Sequence, residues 1–287
     1  PLMTDLLKGE LGFDGCVISD AMSMVGSASR VDLDKLALSF LNCGGDVILF
    51  NEPEDHALLM KALKDGELAR ERLVDAADRV IELKKKARMF EEQEKIVAEI
   101  GETKEELIDK LNEVAYKIAE KSIKFIRDYQ NILPISPAAN AKFLCINSTD
   151  NEKIDTTPIA EELRKRGYQV DVRDKIGHSE LNRIMNDYDY ILVNYFISGS
   201  HGGTMRIGWD KVNIFWRGYA LKHPGMIFTS FGDPYKLYDF PFLKTYINAF
   251  SYQESSMRAF VEILLGEKEM TAKNPIGFAG FFERETI

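Results

Sequence analysis

The sequence predicts an α/β protein made of two α/β regions in series. Three observations predict it. Short apolar runs alternate with amphipathic helical stretches, the pattern that builds parallel sheets covered by helices. Glycines at Gly12, Gly44-Gly45, Gly167 and Gly266 punctuate the helix ends. A charged, weakly patterned stretch at 91–104 separates the front region from the rear one.

The front region opens on a helical stripe of Leu2, Leu6, Leu7 and Leu11 that Gly12 ends. Gly15-Cys16-Val17-Ile18-Ser19-Asp20 follows, an apolar run entered from a glycine turn and left at a polar residue. It reads as a buried parallel strand. Leu33, Leu36, Ala37, Phe40 and Leu41 mark a helix over 33–43, and Asp46-Val47-Ile48-Leu49-Phe50 is a second buried strand. Helices at 54–64 and 70–88 complete this part. Two strands alone leave faces and edges uncovered, so neighbouring strands are expected from elsewhere. Pro1 starts the chain inside a helical pattern, and the sequence reads as a segment of a longer protein.

After the linker-like stretch, Leu107, Leu111, Val114, Ala115, Ile118, Ala119, Ser122 and Phe125 predict one helix over 105–126. The rear region then gives five strands, at 143–147, 169–172, 190–195, 226–230 and 246–250. Helices at 157–167, 179–187, 211–222 and 253–265 alternate with them. That order predicts an open three-layer α/β/α sandwich. The predicted division is therefore 1–90, a connecting part at 91–128, and 129–287.

Composition narrows the function. The net charge of -9 gives no counterion-release advantage on nucleic acid. No apolar run is long enough to span a bilayer. Cys16, Cys43 and Cys145 are an odd set among apolar neighbours, read as small buried hydrophobes in a reducing, cytoplasmic setting.

The segment from Leu7 to Met22, LKGELGFDGCVISDAM, resembles the nucleophile-bearing segment of family 3 glycoside hydrolases. Cys43-Gly44-Gly45-Asp46 resembles the motif before the family's next barrel strand, with Cys43 where Ala is usual. Leu68 to Phe90 resembles the helical exit from that barrel. Ala119-Glu120-Lys121-Ser122-Ile123 and Asn131-Ile132-Leu133-Pro134 are similar to the start of the family's second domain. Phe231-Gly232-Asp233-Pro234-Tyr235 and Asp239-Phe240-Pro241 resemble a later part of it. The resemblance implies that 1–90 holds the last βα units of an incomplete (β/α)8-type barrel. It places the active site at the C-terminal ends of the barrel strands.

It also implies that Asp20 is the nucleophile of a retaining glycosidase, with Ala21 and Met22 beside the substrate. Residue patterning alone leaves Asp20 open as a turn cap, a metal or phosphoacceptor aspartate, or a solvated loop acid. Asp-Ala-Met at 20–22 resembles the β-N-acetylglucosaminidase branch, whereas Trp commonly follows Asp in the β-glucosidases. None of His56, His178, His201 and His223 lies in that branch's acid/base motif, so no acid/base is assigned here. For a β-glucosidase or β-xylosidase, Glu161, Glu180 and Glu254 are nominal acids. A separate reading makes the chain a scaffold or binding module without catalysis. No metal or cofactor is expected. The expected partners are a small carbohydrate and either the rest of the barrel or another chain.

Lesser candidates have simpler roles. Gly199-Ser200-His201-Gly202-Gly203-Thr204 reads as a surface loop, with Arg206 and Trp209 nearby. Asp14 is expected to fix a turn, and Asp46 to cap or pair near the barrel rim. Met22 and Met24 are expected to line the site or pack beneath it, and His56 to be exposed.

Overall fold

The computed structural model describes residues 1–22, 24–174, 176, 180–198, 222–277 and 279–285. It divides into two compact units, Pro1–Glu102 and Thr103–Ile287. The loop at 199–208, the helix at 211–222, His178, His201, Arg206 and Trp209 fall wholly or almost wholly outside the described residues.

In the front unit the first helix, Leu2–Glu10, is wound as a π-helix. Its i→i+5 pattern shows in Leu6 N–H donating to Pro1 O at 3.0 Å and Leu11 N–H to Leu6 O at 2.8 Å. Then come α1 (Val25–Ala28), α2 (Leu33–Asn42), α3 (Asp55–Asp65), α4 (Arg70–Lys86) and α5 (Gln93–Ile100). The stretch read as a linker therefore contains a helix. Its apolar residues Ile96, Val97 and Ile100 span a single i, i+4 step, too short to stand out among the charged residues around them. Leu36, Ala37 and Leu41 turn the buried face of α2 inward. Leu41 meets Ala62 and Leu68, with Leu38, Ile48 and Leu59 packed around them. Gly66, at φ 77°, ends α3 in the left-handed conformation that glycine adopts without steric penalty.

The two strands predicted here are reduced to a single parallel bridge, Ile18 to Val47. A parallel pair with no third strand beside it among the described residues has one edge of its ladder and little else to hold it extended.

The rear unit begins with α6 (Lys104–Glu120), which carries a capping box. Glu106 N–H donates to Thr103 Oγ1 at 3.2 Å, and Thr103 N–H donates back to Glu106 Oε2 at 2.7 Å. The strands are β1 (Lys124–Asp128), β2 (Lys142–Thr149), β3 (Gln169–Arg173), β4 (Tyr190–Phe196), β5 (Met226–Phe231) and β6 (Thr245–Asn248). Between and after them lie α7 (Pro158–Lys165), α8 (Leu181–Asp187) and α9 (Glu254–Leu264). One sheet runs β1-β6-β5-β4-β2-β3, parallel throughout except where β1 lies antiparallel to β6.

Two expectations change here. The helix predicted over 105–126 stops at Glu120, and Phe125 belongs to β1 instead. The sheet has six strands among the described residues rather than five. Ile123 is fully buried at the junction, so the apolar stripe of the sequence runs through a helix end into a strand. Parallel register sets Cys145 beside Leu192 and Leu192 beside Ile227, and this face packs with Ile159, Leu163 and Phe260. Leu144, Ile191, Val193 and Phe228 face the other way, with Ile184 of α8 and Leu237. Helices thus cover both faces, which is the predicted three-layer α/β/α arrangement.

Candidate active site

The residues before Asp20 are fixed by hydrogen bonds to the segment at 46–49. Val17 O accepts from the N–H groups of Asp46 and Val47 at 2.8 and 3.1 Å, and Ser19 N–H donates to Val47 O at 2.9 Å. The Ser19 hydroxyl accepts Leu49 N–H at 2.9 Å, so a side chain extends the pairing where the backbone ladder stops. Asp20 follows immediately. Its carboxylate is exposed and accepts Ala21 N–H at 2.7 Å, and among the described residues it has no ion-pair partner. Ala21 and Met22 are half-buried.

Met22 lines a small cavity of ≈ 130 Å³ with Leu36, Ala37, Ile48 and Phe50, and Glu52 and Asp55 also border it. Met24, expected to pack beneath the site, is 55% exposed at the start of α1 instead.

The start of the same segment is held by charge. The Asp46 side chain is fully buried, and Lys8 Nζ reaches its two oxygens at 3.0 and 3.2 Å. Val17 N–H donates to Asp46 Oδ2 at 2.8 Å, and the Arg72 guanidinium bonds Asp46 Oδ1, Gly45 O and, at 2.9 Å, Leu41 O. Asp75 links Arg72 to Arg79, whose other nitrogen donates to Gly15 O at 2.9 Å. Burial alone would raise the Asp46 pKa. The Val17 N–H together with Arg72 and Lys8 outweighs burial and holds the carboxyl below its ordinary value. Asp46 therefore pairs, as one of its two expected roles had it. It does so opposite Val17, at the beginning of the segment, while Asp20 stands at its end. In barrels, functional groups gather at strand C-terminal ends and stabilising ones at the opposite end.

The remaining candidates settle into structural places. Asp14 and His56 are exposed. Glu161 lies in the first turn of α7, Glu180 is the N-cap residue of α8, and Glu254 opens α9. A carboxylate at a helix N-terminus is stabilised by the helix dipole, which accounts for all three. His223 is buried, accepting Gly225 N–H at Nδ1 (3.1 Å), with Nε2 3.0 Å from Tyr188 O. Burial drives its pKa down and outweighs the Tyr188 carbonyl, so it is a neutral structural histidine. Cys145 is buried and its thiol is pushed up to about 12 by desolvation. Cys43, expected to be buried, is exposed, because it caps the C-terminus of α2 on the outer side.

Lys8, Arg72 and Arg79 escaped the sequence reading. The available signal was Arg72, Asp75 and Arg79 at i, i+3 and i+7 along α4, one polar ridge on a helix whose other faces had been read as core or solvent.

Among the described residues no helix is long and apolar enough to cross a membrane. No cluster of three or more His, Cys, Asp or Glu side chains there could hold a metal ion.

Comparison with known proteins agrees with this geometry. Residues 1–83 match the model of the glycosyl hydrolase family 3 N terminal domain. A β-N-acetylglucosaminidase/β-glucosidase of Cellulomonas fimi is 24% identical over 96% of this chain and 51% of its own length. A β-hexosaminidase of Chromobacterium violaceum is 39% identical over 62 residues, 21% of this chain and 17% of its own. The solved structure of the β-glucoside phosphorylase BglX bound to 2FGlc superposes with a TM-score of 0.76 at 26% identity. That match covers 94% of this chain and 50% of the phosphorylase. The chain thus spans about half the length of the relatives it matches from end to end.

Proposed function

We propose that this chain is a segment of a family 3 glycoside hydrolase of the β-N-acetylhexosaminidase kind, with Asp20 as its nucleophile. The observation that carries this reading is the exposed Asp20 carboxylate at the end of a segment held at its start by the Asp46 cluster and at its end by the Ser19 hydroxyl. Support comes from the match of residues 1–83 to the family's N-terminal domain and from the hexosaminidase names of the relatives.

In this reading an Asp20 oxygen attacks the anomeric carbon of a terminal β-linked N-acetylglucosamine. The glycosidic C–O bond breaks, and the leaving oxygen takes a proton from a general acid that lies about 5 to 5.5 Å from the nucleophile in retaining enzymes. Water then adds to the anomeric carbon and displaces the carboxylate, giving its proton to the same group acting as base. That group is assigned to no residue of this chain. The remaining barrel wall belongs to sequence outside residues 1–287 or to another chain. Ala21 leaves room at the attacking oxygen, and the protein works in the cytoplasm.

Because this chain alone lacks the general acid and is expected to be inactive, chromogenic β-N-acetylglucosaminide and β-glucoside substrates test the proposal on the longest form of the protein that carries it, assayed in buffer with and without phosphate. Release of free sugar by the parent and loss of at least a thousandfold in Asp20→Asn are expected. Full turnover in that variant rules Asp20 out. A sugar 1-phosphate product would make phosphate the acceptor, the activity named for the solved phosphorylase. Sugar binding without turnover would favour the binding-module reading.

A further inference from the structure

We infer that Ser19 is the positioning residue of the nucleophile. Its hydroxyl takes the place of its own backbone carbonyl in the pairing with the segment at 46–49, and so sets the backbone that aims the Asp20 carboxylate. For what Asp20 does, this rests on the glycosidase reading. It adds a role for a side chain that acts only through Asp20.

The hydrogen bonds fix the register. Around the bridge between Ile18 and Val47, Val47 N–H donates to Val17 O at 3.1 Å and Ser19 N–H donates to Val47 O at 2.9 Å. These are two successive rungs of a parallel ladder, whose bonds are evenly spaced. The third rung of that ladder joins Leu49 N–H to Ser19 O. Here Leu49 N–H donates instead to Ser19 Oγ at 2.9 Å. At this one rung the side chain replaces the main chain. The partner segment then turns at Leu49 and Phe50. Among the described residues this is therefore the last hydrogen bond between the two segments before Asp20.

The replacement has two consequences. Leu49 N–H keeps an acceptor, so the ladder ends without an unpaired donor. Ser19 O is released from the rung, so the peptide between Ser19 and Asp20 can leave the plane of the pairing. Asp20 depends on that peptide. Its carboxylate has no ion-pair partner among the described residues, and Oδ1 accepts Ala21 N–H at 2.7 Å. The side chain is thus held by the backbone of 19–21, whereas Lys8 and Arg72 grip Asp46 directly. Without the hydroxyl, the third rung closes on the main-chain carbonyl, and the peptide rotates with the carboxylate it carries. A reacting group displaced by about 1 Å loses on the order of a hundredfold in rate.

A hydroxyl that only closed the end of a strand would add stability and leave catalysis alone, and the test separates the two roles. The longest form of the protein that carries this segment is compared with Ser19→Ala, Ser19→Thr and Asp20→Asn. The probe is 2-fluoroglucosyl fluoride. An Asp20 oxygen bonds to its anomeric carbon, fluoride leaves without a general acid, and the sugar stays on the carboxylate. Labelling rate, kcat and KM on the chromogenic substrates, and unfolding temperature are measured for each. Ser19→Ala is expected to label and turn over about tenfold more slowly or worse, with KM within about threefold of the parent and an unfolding temperature within a few degrees of it. Ser19→Thr keeps the hydroxyl and should return both rates to within about threefold of the parent. A Ser19→Ala protein that labels at the parent rate overturns the inference. So does one whose rate falls only with its unfolding temperature and is not restored by Thr. Full turnover in Asp20→Asn, a label on another residue, or a parent that takes no label removes the nucleophile and the Ser19 role with it. An inactive Asp20→Asn beside an unimpaired Ser19→Ala removes the Ser19 role alone.

Discussion

Asp20 and Asp46 are two acids on paired segments with opposite environments. Asp20 is exposed and has no ion-pair partner among the described residues, while Asp46 is enclosed by Lys8, Arg72 and the Val17 N–H. Removing one partner of a buried ion pair strands the others in low dielectric, a loss of about 3–5 kcal/mol. Asp46→Asn is therefore expected to destabilise the front unit by about 3 kcal/mol or more in denaturant titration, leaving the rear unit unchanged. The pH dependence follows from the direction of the shift. The folded carboxyl titrates below the unfolded value of about 3.9, so its contribution is complete above that value and disappears as pH falls through the folded one. Acid titration of the front unit should show this loss in the parent and a shallower one in Asp46→Asn. The place of Asp20 at the end of its segment was legible in the sequence because a carboxylate ending an apolar run is a local pattern, whereas its chemical role was implied by the family resemblance. The Asp46 cluster was not, because Lys8 and Arg72 lie 38 and 26 residues from it and Arg79 lies 64 from Gly15.

At the scale of elements, the sequence was read well where a strand is buried on both faces and less well where a helix gives way to a strand. β2, β4 and β5 are largely apolar runs, buried along nearly their whole length, and their pairing follows. β1 was hidden because Ile123 and Phe125 continue the helical spacing of α6, and no local signal reveals the antiparallel partner β6 more than a hundred residues later. The front strands were over-read, since an apolar run predicts burial but not the neighbours that keep it extended. A polar row crosses the central strands at Asn147, Asn194 and Thr229. Asn194 donates to Asn147 Oδ1 at 2.9 Å, and Asn147 donates to Thr156 O at 2.9 Å, whereas the buried Thr229 hydroxyl has no partner among the described residues. A buried hydroxyl left unsatisfied costs about 1–3 kcal/mol, and an apolar group of the same shape removes that penalty. Thr229→Val should therefore leave the rear unit as stable as the parent or up to about 1 kcal/mol more stable, as read by its denaturant midpoint. A loss of stability would mean that the hydroxyl has a partner in solution.

For the whole molecule, the contrast between the two cores makes the last prediction. The rear unit buries two extended clusters, one on each face of its sheet. The front unit buries Leu41, Ala62 and Leu68 as its cluster and leaves Leu2, Leu11, Val25, Leu33 and Phe50 more than half exposed. Apolar burial scales with stability at about 25 cal/mol per Å², so the front unit has much less to hold it. Two compact units with such different cores should not unfold as one two-state system. Chemical denaturation followed by far-UV circular dichroism is expected to show two transitions, the front unit first. Hydrogen exchange should assign the first to residues 1–102 and the second to the sheet. A single cooperative transition would show that the two units stabilise one another. Asp20 belongs to the front unit, so ligand linkage ties this experiment to the proposed function. A neutral sugar at a hundred times its dissociation constant stabilises what it binds by about 2.7 kcal/mol. It should raise the first midpoint and leave the second where it was. A sugar that moved the second transition instead would place the binding site in the rear unit and remove the ligand role from Asp20.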